Sequence, residues 1–318
     1  MKKLLLLILS QLLIMPALKG QTVTYSPADS ISLGSRIAHK SIQIGTGAVA
    51  TIGLTQILKA SVNEMRPDRS DNNSFPSRHA SWAFAGASVI ANELYWHSPW
   101  WVLGSHALAT GIGFQRVMSE RHYPGDVLAG AALGIGSMQF GYWVGNLFYP
   151  SQRRHLPYAD NQQGGSLSLA TEAVVPLCHP SHNVHFRTGL GTRLTFTLPF
   201  SEVFSLQANA HLQSTPLVAH KQYFDMLNSF GLTLGAQLRH QLSQRWAACA
   251  RAAIGAMRNL KVHNDCISSG SLRTDIAVGT DYRLTPALSI GADLGWQLNT
   301  YSHACSALNI GMVTKAVF

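Results

Sequence analysis

Charged side chains are scarce in this sequence, and acidic ones are the scarcest. Only 12% of the 318 residues are charged, with 24 Lys and Arg against 15 Asp and Glu. The formal net charge of +9 is not concentrated in a basic run, and no nucleic-acid-binding motif accompanies it. Nucleic acid is therefore not an expected partner. A mild, dispersed positive charge suits acidic phosphate esters or an anionic lipid surface.

Cysteine is also sparse. The four cysteines, at positions 178, 249, 266 and 305, lie in the second half of the chain and form no CxxC pair. This spacing argues against metal ligation, whereas disulfides are permitted in an oxidising compartment. If a disulfide forms, the predicted strand order favours Cys266–Cys305. The alternative is that all four thiols are free.

Long runs of Leu, Ile and Val of the kind found in polytopic membrane bundles are missing, but the N-terminus is apolar. Lys2-Lys3 precedes an apolar stretch from Leu4 to Ile14, and small and polar residues follow up to Gly20. This pattern predicts a signal peptide over residues 1–20, with an uncleaved membrane anchor as the alternative. We expect export to an oxidising compartment.

Helical periodicity dominates residues 30–150. The pattern predicts helices near 30–57, 80–95, 100–117 and 126–148, rich in Ala, Gly and aromatic residues. The last segment is long enough to be a bilayer-crossing candidate, for which about 20 apolar residues are needed. Because it begins with the acidic Asp126, we interpret it as a buried core helix.

Three polar clusters interrupt this apolar region between residues 59 and 126. They are Lys59 with Arg66-Pro67, then Pro76-Ser77-Arg78-His79, and then Arg116, His122 and Asp126. A transferring phosphoryl group spreads negative charge over three oxygens, so its catalysis needs positioned cations. Arg forks and a compact Lys ammonium supply them. The clusters therefore predict a phosphoryl-transfer site.

Each cluster has an expected part in that site. Pro76-Ser77 is typical of a helix start, where the N–H groups of Ser77 to His79 would face an anion. His122 and Asp126 are four residues apart, so the carboxylate could accept the Nδ1–H and leave Nε2 as the nucleophile. His79 is then the candidate general acid for the leaving alkoxide.

These residues resemble a known family, the type 2 phosphatidic acid phosphatase superfamily. Its signature is Lys-x6-Arg-Pro, Pro-Ser-Gly-His and Ser-Arg-x5-His-x3-Asp, and here Arg78 replaces the Gly and Gln115 the Ser. The resemblance covers roughly residues 30–150. It implies an all-α helical bundle and metal-independent hydrolysis of phosphate esters through a phosphohistidine on His122. It also implies that no cofactor is required.

Beyond residue 165 the periodicity changes to two. Apolar residues alternate with small or polar ones in eight segments, near 166–176, 183–198, 202–213, 226–242, 245–258, 270–284, 286–299 and 306–318. Tight connections follow the second, fourth and sixth segments, and most of the others are longer and polar. An even strand number with this asymmetry predicts an outer-membrane barrel, with a soluble β-sandwich as the alternative.

The sequence thus predicts a two-part fold: an all-α helical bundle phosphatase domain followed by an eight-stranded antiparallel β-barrel. The expected divisions are a signal peptide (1–20), the helical domain (21–150), a linker (151–165) and the barrel (166–318). A linker of about 15 residues reaches at most roughly 50 Å, so the catalytic domain is expected in the periplasm, close to the outer membrane of a Gram-negative-type cell envelope.

The expected function is a lipid phosphate phosphatase, with a phosphorylated lipid or a small phosphate ester as its substrate. Catalytic roles are predicted for His122, His79 and Asp126. Substrate-binding roles are predicted for Lys59, Arg66, Ser77, Arg78 and Arg116, and no metal ligand is predicted. The alternatives are an acid phosphatase of soluble esters, a haloperoxidase that uses vanadate, and a structural barrel with an inactive helical domain.

Overall fold

The structure is a computed structural model that describes residues 33–95, 97–148, 164–178, 184–219, 222–260, 269–285, 287–300 and 304–318. The predicted signal peptide and the predicted linker up to residue 163 lie outside the described residues. Two regions of different secondary structure follow one another along the chain.

The first region is helical, as predicted. Its helices are α1 (Leu33–Ser61), α2 (Arg78–Leu94), α3 (Pro99–Met118) and α4 (Pro124–Phe148). Ser77 caps α2 by accepting a hydrogen bond from the Ala80 N–H, and Ser98 caps α3 next to Pro99 in the first turn. Helices α1 and α4 are long and apolar enough to cross a membrane, and α4 is the more buried of the two.

Close packing in the helical region depends on glycine. A Cβ at Gly134 of α4 would lie 2.2 Å from the carbonyl oxygen of Ser81 on α2. A Cβ at Gly141, farther along α4, would lie 2.3 Å from the carbonyl oxygen of Gln43 on α1. Side chains at these positions would force the helices apart, so α4 is the central helix that both neighbours approach.

The second region is a closed antiparallel barrel. Its strands are β1 (Ser166–Pro176), β2 (Val184–Phe186), β3 (Gly189–Pro199), β4 (Phe204–Ala219), β5 (Gln222–Gln241), β6 (Trp246–Asn259), β7 (Gly270–Thr285), β8 (Leu288–Thr300) and β9 (Ala304–Val317). The short β2 pairs only with the end of β4, and the other eight strands form the barrel. Pairing of β1 with β9 and of β4 with β5 completes the circle. The predicted eight-stranded barrel is confirmed, and the sandwich alternative is wrong.

Two strand boundaries differ from the prediction. Strands β4 and β5 extend to Ala219 and Gln222, beyond the predicted ends at 213 and 226. Ser214-Thr215-Pro216, which follows the predicted end, pairs with β5 and is therefore extended. Conversely, the predicted strand 183–198 is interrupted at Arg187-Thr188, which separates β2 from β3.

The barrel is polar inside and apolar outside. Arg193 in the interior forms ion pairs with Glu172 and with Asp293, and Arg273 pairs with Asp275 at 2.8 Å. The exposed outer wall carries large apolar side chains, among them Leu194, Phe196, Leu206, Leu232, Leu234, Ile254, Ile276, Val278 and Leu294. A protein in water buries its apolar face, so this reversed pattern is typical of a barrel surrounded by lipid.

Helix α3 packs against the outer wall of the barrel. Leu103 forms a buried cluster with Leu169 and Ala316, and Trp100 stacks on Phe318 with ring centroids 5.8 Å apart. Farther along the helix, the Oγ1 atoms of Thr110 and Thr171 lie 3.1 Å apart. The helical region is therefore seated beside β1 and β9.

One disulfide joins Cys178, which follows β1, to Cys305 in β9, with their Cα atoms 5.5 Å apart. The predicted Cys266–Cys305 pairing is therefore wrong. Strands β1 and β9 are neighbours because the barrel closes between them, which places their cysteines side by side. Cys249 is a free thiol within β6, and Cys266 lies outside the described residues.

Candidate active site

The predicted site residues come from every helix of the bundle and from two of the three loops between the helices. Lys59 is in the last turn of α1, Arg116 is in the last turn of α3, and Asp126 is in the first turn of α4. His79 is the second residue of α2, and His122 lies in the loop before α4. The structure thus brings these residues to one end of the bundle.

His122 is held in one orientation by its surroundings. The side chain is buried, and its Nδ1 lies 2.8 Å from the carbonyl oxygen of Ser74. A carbonyl oxygen can only accept, so Nδ1 carries the proton and Nε2 keeps its lone pair. Burial and then the positive charge of Arg66, followed by those of Lys59 and Arg116, lower the pKa of His122 to about 3, although the bond to Ser74 opposes this change. The imidazole is therefore neutral at ordinary pH.

Asp126 acts on His122 through other groups and not by direct contact. Its Oδ2 lies 3.9 Å from His122 Nδ1, which is too far for a hydrogen bond. The same oxygen accepts hydrogen bonds from the Ser74 hydroxyl and, at 2.9 Å, from the Tyr123 N–H. The expected Asp126–His122 hydrogen bond is thus replaced by a relay in which the carboxylate positions Ser74, and the Ser74 carbonyl positions the ring.

The cations lie around this imidazole. Lys59 Nζ donates to the carbonyl oxygen of Asn73 at 2.7 Å, and Arg66 Nε lies 2.8 Å from Asp71 Oδ1. Within the part of the chain that the structure describes, the buried Nε–H of Arg116 has no hydrogen-bond partner. Burying an unpaired charged donor is unfavourable, and an anion bound beside it would remove that penalty.

The segment Ser77-Arg78-His79 begins α2 at the same place. The Ser77 hydroxyl is buried and serves as the helix cap, so it is less available to a ligand than predicted. The side chains of Arg78 and His79 are exposed. Burial lowers the pKa of His79, and so do the charges of Arg116, Arg78, Arg66 and Lys59, which belong to the same end of the bundle.

Some site residues were not found by sequence reasoning. Ser74 belongs to none of the motifs, because its carbonyl group meets His122 and its hydroxyl group meets Asp126 only in the folded chain. Arg187 comes from the barrel and lies with its guanidinium carbon 5.9 Å from the centre of the Tyr123 ring. Tyr223 at the start of β5 packs edge-on against the same ring, with centroids 5.8 Å apart. Only the assembled fold brings these two residues to the site.

No group of three or more His, Cys, Asp or Glu side chains is placed to hold a metal ion among the described residues. The polar side chains around His122 are instead mainly cationic, and such a set suits an anion and not a metal ion. Independence from metals remains a prediction.

Comparison with known proteins identifies the helical part. Residues 40–149 match the model of the PAP2 superfamily. The match covers the helical residues that form the site and excludes the barrel, so the predicted resemblance is confirmed within the region that suggested it.

Two curated proteins are similar to this chain. The lipid A 1-phosphatase of Porphyromonas gingivalis is 27% identical over 270 residues, covering 77% of this chain and 61% of that protein. The chain thus spans less than two thirds of that relative. The bacitracin transport permease protein BcrC of Bacillus licheniformis is 38% identical over 73 residues, 23% of this chain and 34% of BcrC.

Among solved structures, the matches cover about half of the chain. Neisserial surface protein A is 12% identical with a TM-score of 0.35, over 48% of this chain and 96% of that protein. The outer membrane protein OprG of Pseudomonas aeruginosa is also 12% identical, with a TM-score of 0.34, over 49% of this chain and 97% of that protein.

Proposed function

We propose that this protein is a phosphatase that hydrolyses phosphate monoesters of membrane lipids through a phosphohistidine on His122. The observation that carries the proposal is a neutral imidazole whose Nδ1–H donates to Ser74, with its other nitrogen unprotonated, among Lys59, Arg66 and Arg116. Such a ring combines a nucleophile with the charge stabilisation that phosphoryl transfer requires.

In the first step, the Nε2 lone pair of His122 attacks phosphorus and forms the N–P bond. The P–O bond to the lipid breaks, and the leaving oxygen takes a proton from His79. In the second step a water molecule loses a proton to His79 and attacks the same phosphorus. The N–P bond then breaks, which releases inorganic phosphate and restores the neutral imidazole. The surrounding cations bind the phosphoryl oxygens throughout.

The barrel supports a lipid as the substrate. Its apolar outer wall and polar interior favour a position in the outer membrane of a Gram-negative-type cell, so the attached site would work beside a lipid surface. The curated relative from Porphyromonas gingivalis, named lipid A 1-phosphatase, also supports a phosphorylated lipid. The sequence-based expectation of a periplasmic catalytic domain remains a prediction, and the packing of α3 on the barrel wall argues for revising it.

Release of inorganic phosphate by the purified full-length protein tests the proposal. Phosphatidic acid in mixed micelles is expected to be hydrolysed, with formation of an acid-labile, base-stable phosphoenzyme. His122→Ala is expected to abolish both signals, while the matched variant His97→Ala, at an exposed histidine between α2 and α3, keeps both. Normal turnover by His122→Ala, or strong inhibition of the wild-type protein by a chelator, would contradict the mechanism.

A further inference from the structure

The catalytic groups all lie at the same end of the helical bundle. Lys59 is in the last turn of α1, Arg78 begins α2, Arg116 is in the last turn of α3 and Asp126 is in the first turn of α4. The other ends of the four helices carry none of the predicted site residues. The position of this one end relative to the barrel therefore fixes the position of the site.

Helix α3 sets that position, because it contacts the barrel along its length. Near its start, Trp100 stacks on Phe318, the last residue of the chain. Near its end, Val117 belongs to a buried cluster that includes Ala173 in β1 and Met226 in β5. Arg116 lies sixteen residues beyond Trp100, which is about 24 Å along a helix at 1.5 Å per residue. The apolar band of an outer-membrane barrel is about 25 Å tall.

The site therefore lies at the barrel rim opposite the one that holds the C-terminus. Direct contacts agree with this placement: Tyr123, which follows His122, touches Tyr223 next to the β4–β5 connection. Arg187, between β2 and β3, lies over the same Tyr123 ring. Both barrel residues belong to the rim that also holds the Cys178–Cys305 disulfide.

The connections between strands indicate which rim faces outward. At the rim of the C-terminus, the connections 200–203, 242–245 and 286–287 are four, four and two residues long. At the opposite rim, the connections 177–188 and 260–269 are twelve and ten residues long and are the longest of the barrel, whereas 220–221 and 301–303 are two and three residues long. Outer-membrane barrels have short turns on the periplasmic side and longer loops on the external side. The rim beside the site is therefore the external one.

Three large apolar side chains are exposed at the end of the bundle that carries the site. Ile57, Met65 and Met118 are 61%, 49% and 57% exposed. An end of the bundle that exposes both cations and apolar side chains complements a molecule that has a phosphate joined to acyl chains. A soluble phosphate ester would need only the cations.

From these observations we infer that the site acts at the external leaflet of the outer membrane, on a phosphorylated lipid whose acyl chains contact Ile57, Met65 and Met118. The inference rests on the proposed function for its reaction and extends that function to one leaflet and one substrate class. The barrel holds the site at headgroup height, and the helices reach down beside it toward the periplasmic rim.

Cysteine labelling tests the side of the membrane without using catalysis. In a protein lacking the thiols of Cys249 and Cys266, Asn72→Cys places a thiol in the exposed loop beside the site. The matched variant Glu202→Cys places one in an exposed short turn at the other rim. A charged, membrane-impermeant maleimide is expected to label Asn72→Cys on intact cells and Glu202→Cys only after the outer membrane is permeabilised.

The reverse labelling pattern would overturn the external position and support a periplasmic site, whatever the activity of the protein. Correct labelling combined with no phosphate release from any ester would instead contradict the proposed function. The two failures are thus distinguishable, because one concerns topology and the other concerns turnover.

The lipid contact has a separate test. The variant Ile57→Ser/Met65→Ser/Met118→Ser is expected to lower the ratio of kcat/KM for long-chain phosphatidic acid to kcat/KM for a soluble aryl phosphate by at least about tenfold. One buried side chain of this size contributes about a factor of ten to binding. Val49→Ser, an exposed position of α1 ten residues before Lys59, is the control. An unchanged ratio in the triple variant would overturn the lipid contact.

Discussion

The proton affinity of His122 provides the sharpest quantitative test of the site. Burial and the neighbouring cations lower the pKa of its imidazole from 6.5 to about 3. At pH 5 an ordinary histidine would be about 97% protonated, whereas this one would be about 1% protonated. The nucleophile is therefore expected to remain neutral and competent far into the acid range, and to lose its reactivity only as the pH falls toward 3.

Nuclear magnetic resonance of the isotope-labelled histidine rings measures this property directly. The protein is titrated in detergent micelles in a buffer without multivalent anions, and the spectrum of His122→Ala assigns the signal. We expect no titration of His122 between pH 8 and pH 4. Sulfate should raise the pKa of His122, because an anion among Arg66, Arg116 and Lys59 neutralises the charges that oppose protonation.

The rate of phosphoenzyme formation gives the same test through chemistry. We compare substrates whose phosphate groups have different pKa values. The pH at which the rate falls on the acid side should follow the pKa of the substrate, since His122 itself does not titrate in that range. A rate that falls below about pH 6.5 for every substrate alike would refute the reasoning. A His122 signal that titrates near pH 6.5 would refute it as well, by showing a hydrated ring distant from the cations.

The remaining predictions concern the residues around the nucleophile and the packing of the helices. His79→Ala should slow the hydrolysis of alkyl phosphates far more than that of activated aryl phosphates, and equal losses would show that His79 only binds phosphate. Asp126→Asn should lower kcat by about 10- to 100-fold, because it weakens the hydrogen bond that Asp126 accepts from Ser74, the residue that orients the His122 ring. A loss of about 10,000-fold would instead indicate direct contact between Asp126 and His122, as in a catalytic triad. Gly134→Ala should destabilise the helical region by about 1–3 kcal/mol in thermal unfolding, because its Cβ would overlap the Ser81 carbonyl. Gly136→Ala is the matched control and should not destabilise it, because its Cβ would meet nothing within 4 Å.

Most of the local structure could be predicted because its signals are local. The four helices follow from periodicity and from residues such as Ser77, whose capping role needs only the next three residues. Strand β1 begins at Ser166, as the alternating pattern predicts. His122 and the cations around it could be located because the spacing of charged residues in an apolar region is visible in the sequence, whereas the predicted role of His122 as nucleophile stays a prediction.

The parts that could not be predicted depend on contacts between distant segments. The Ser74 carbonyl orients His122 across 48 positions of the chain, and any residue in place of Ser74 would offer the same carbonyl. The disulfide between Cys178 and Cys305 requires knowing that the first and last strands are neighbours. Glycine contacts are similar: a Cβ at Gly145 would lie 2.3 Å from the Gln43 side chain, whereas a Cβ at Gly136 on the same helix would meet nothing within 4 Å.

The contact between α3 and the barrel explains how a small helical region can hold a fixed height in a membrane. Lipid tails are as apolar as the helix surface, so burial of apolar area alone does not drive association there. Association depends on close packing and on polar contacts, and this interface has both: small Ala173 and Ala316 on the wall, and the hydrogen bond between Thr110 and Thr171. Such a bond is satisfied at one relative height only, because sliding the helix by one residue would separate the two hydroxyls. The barrel, whose own height is fixed by its apolar band, thereby fixes the height of the cations at the end of the helix.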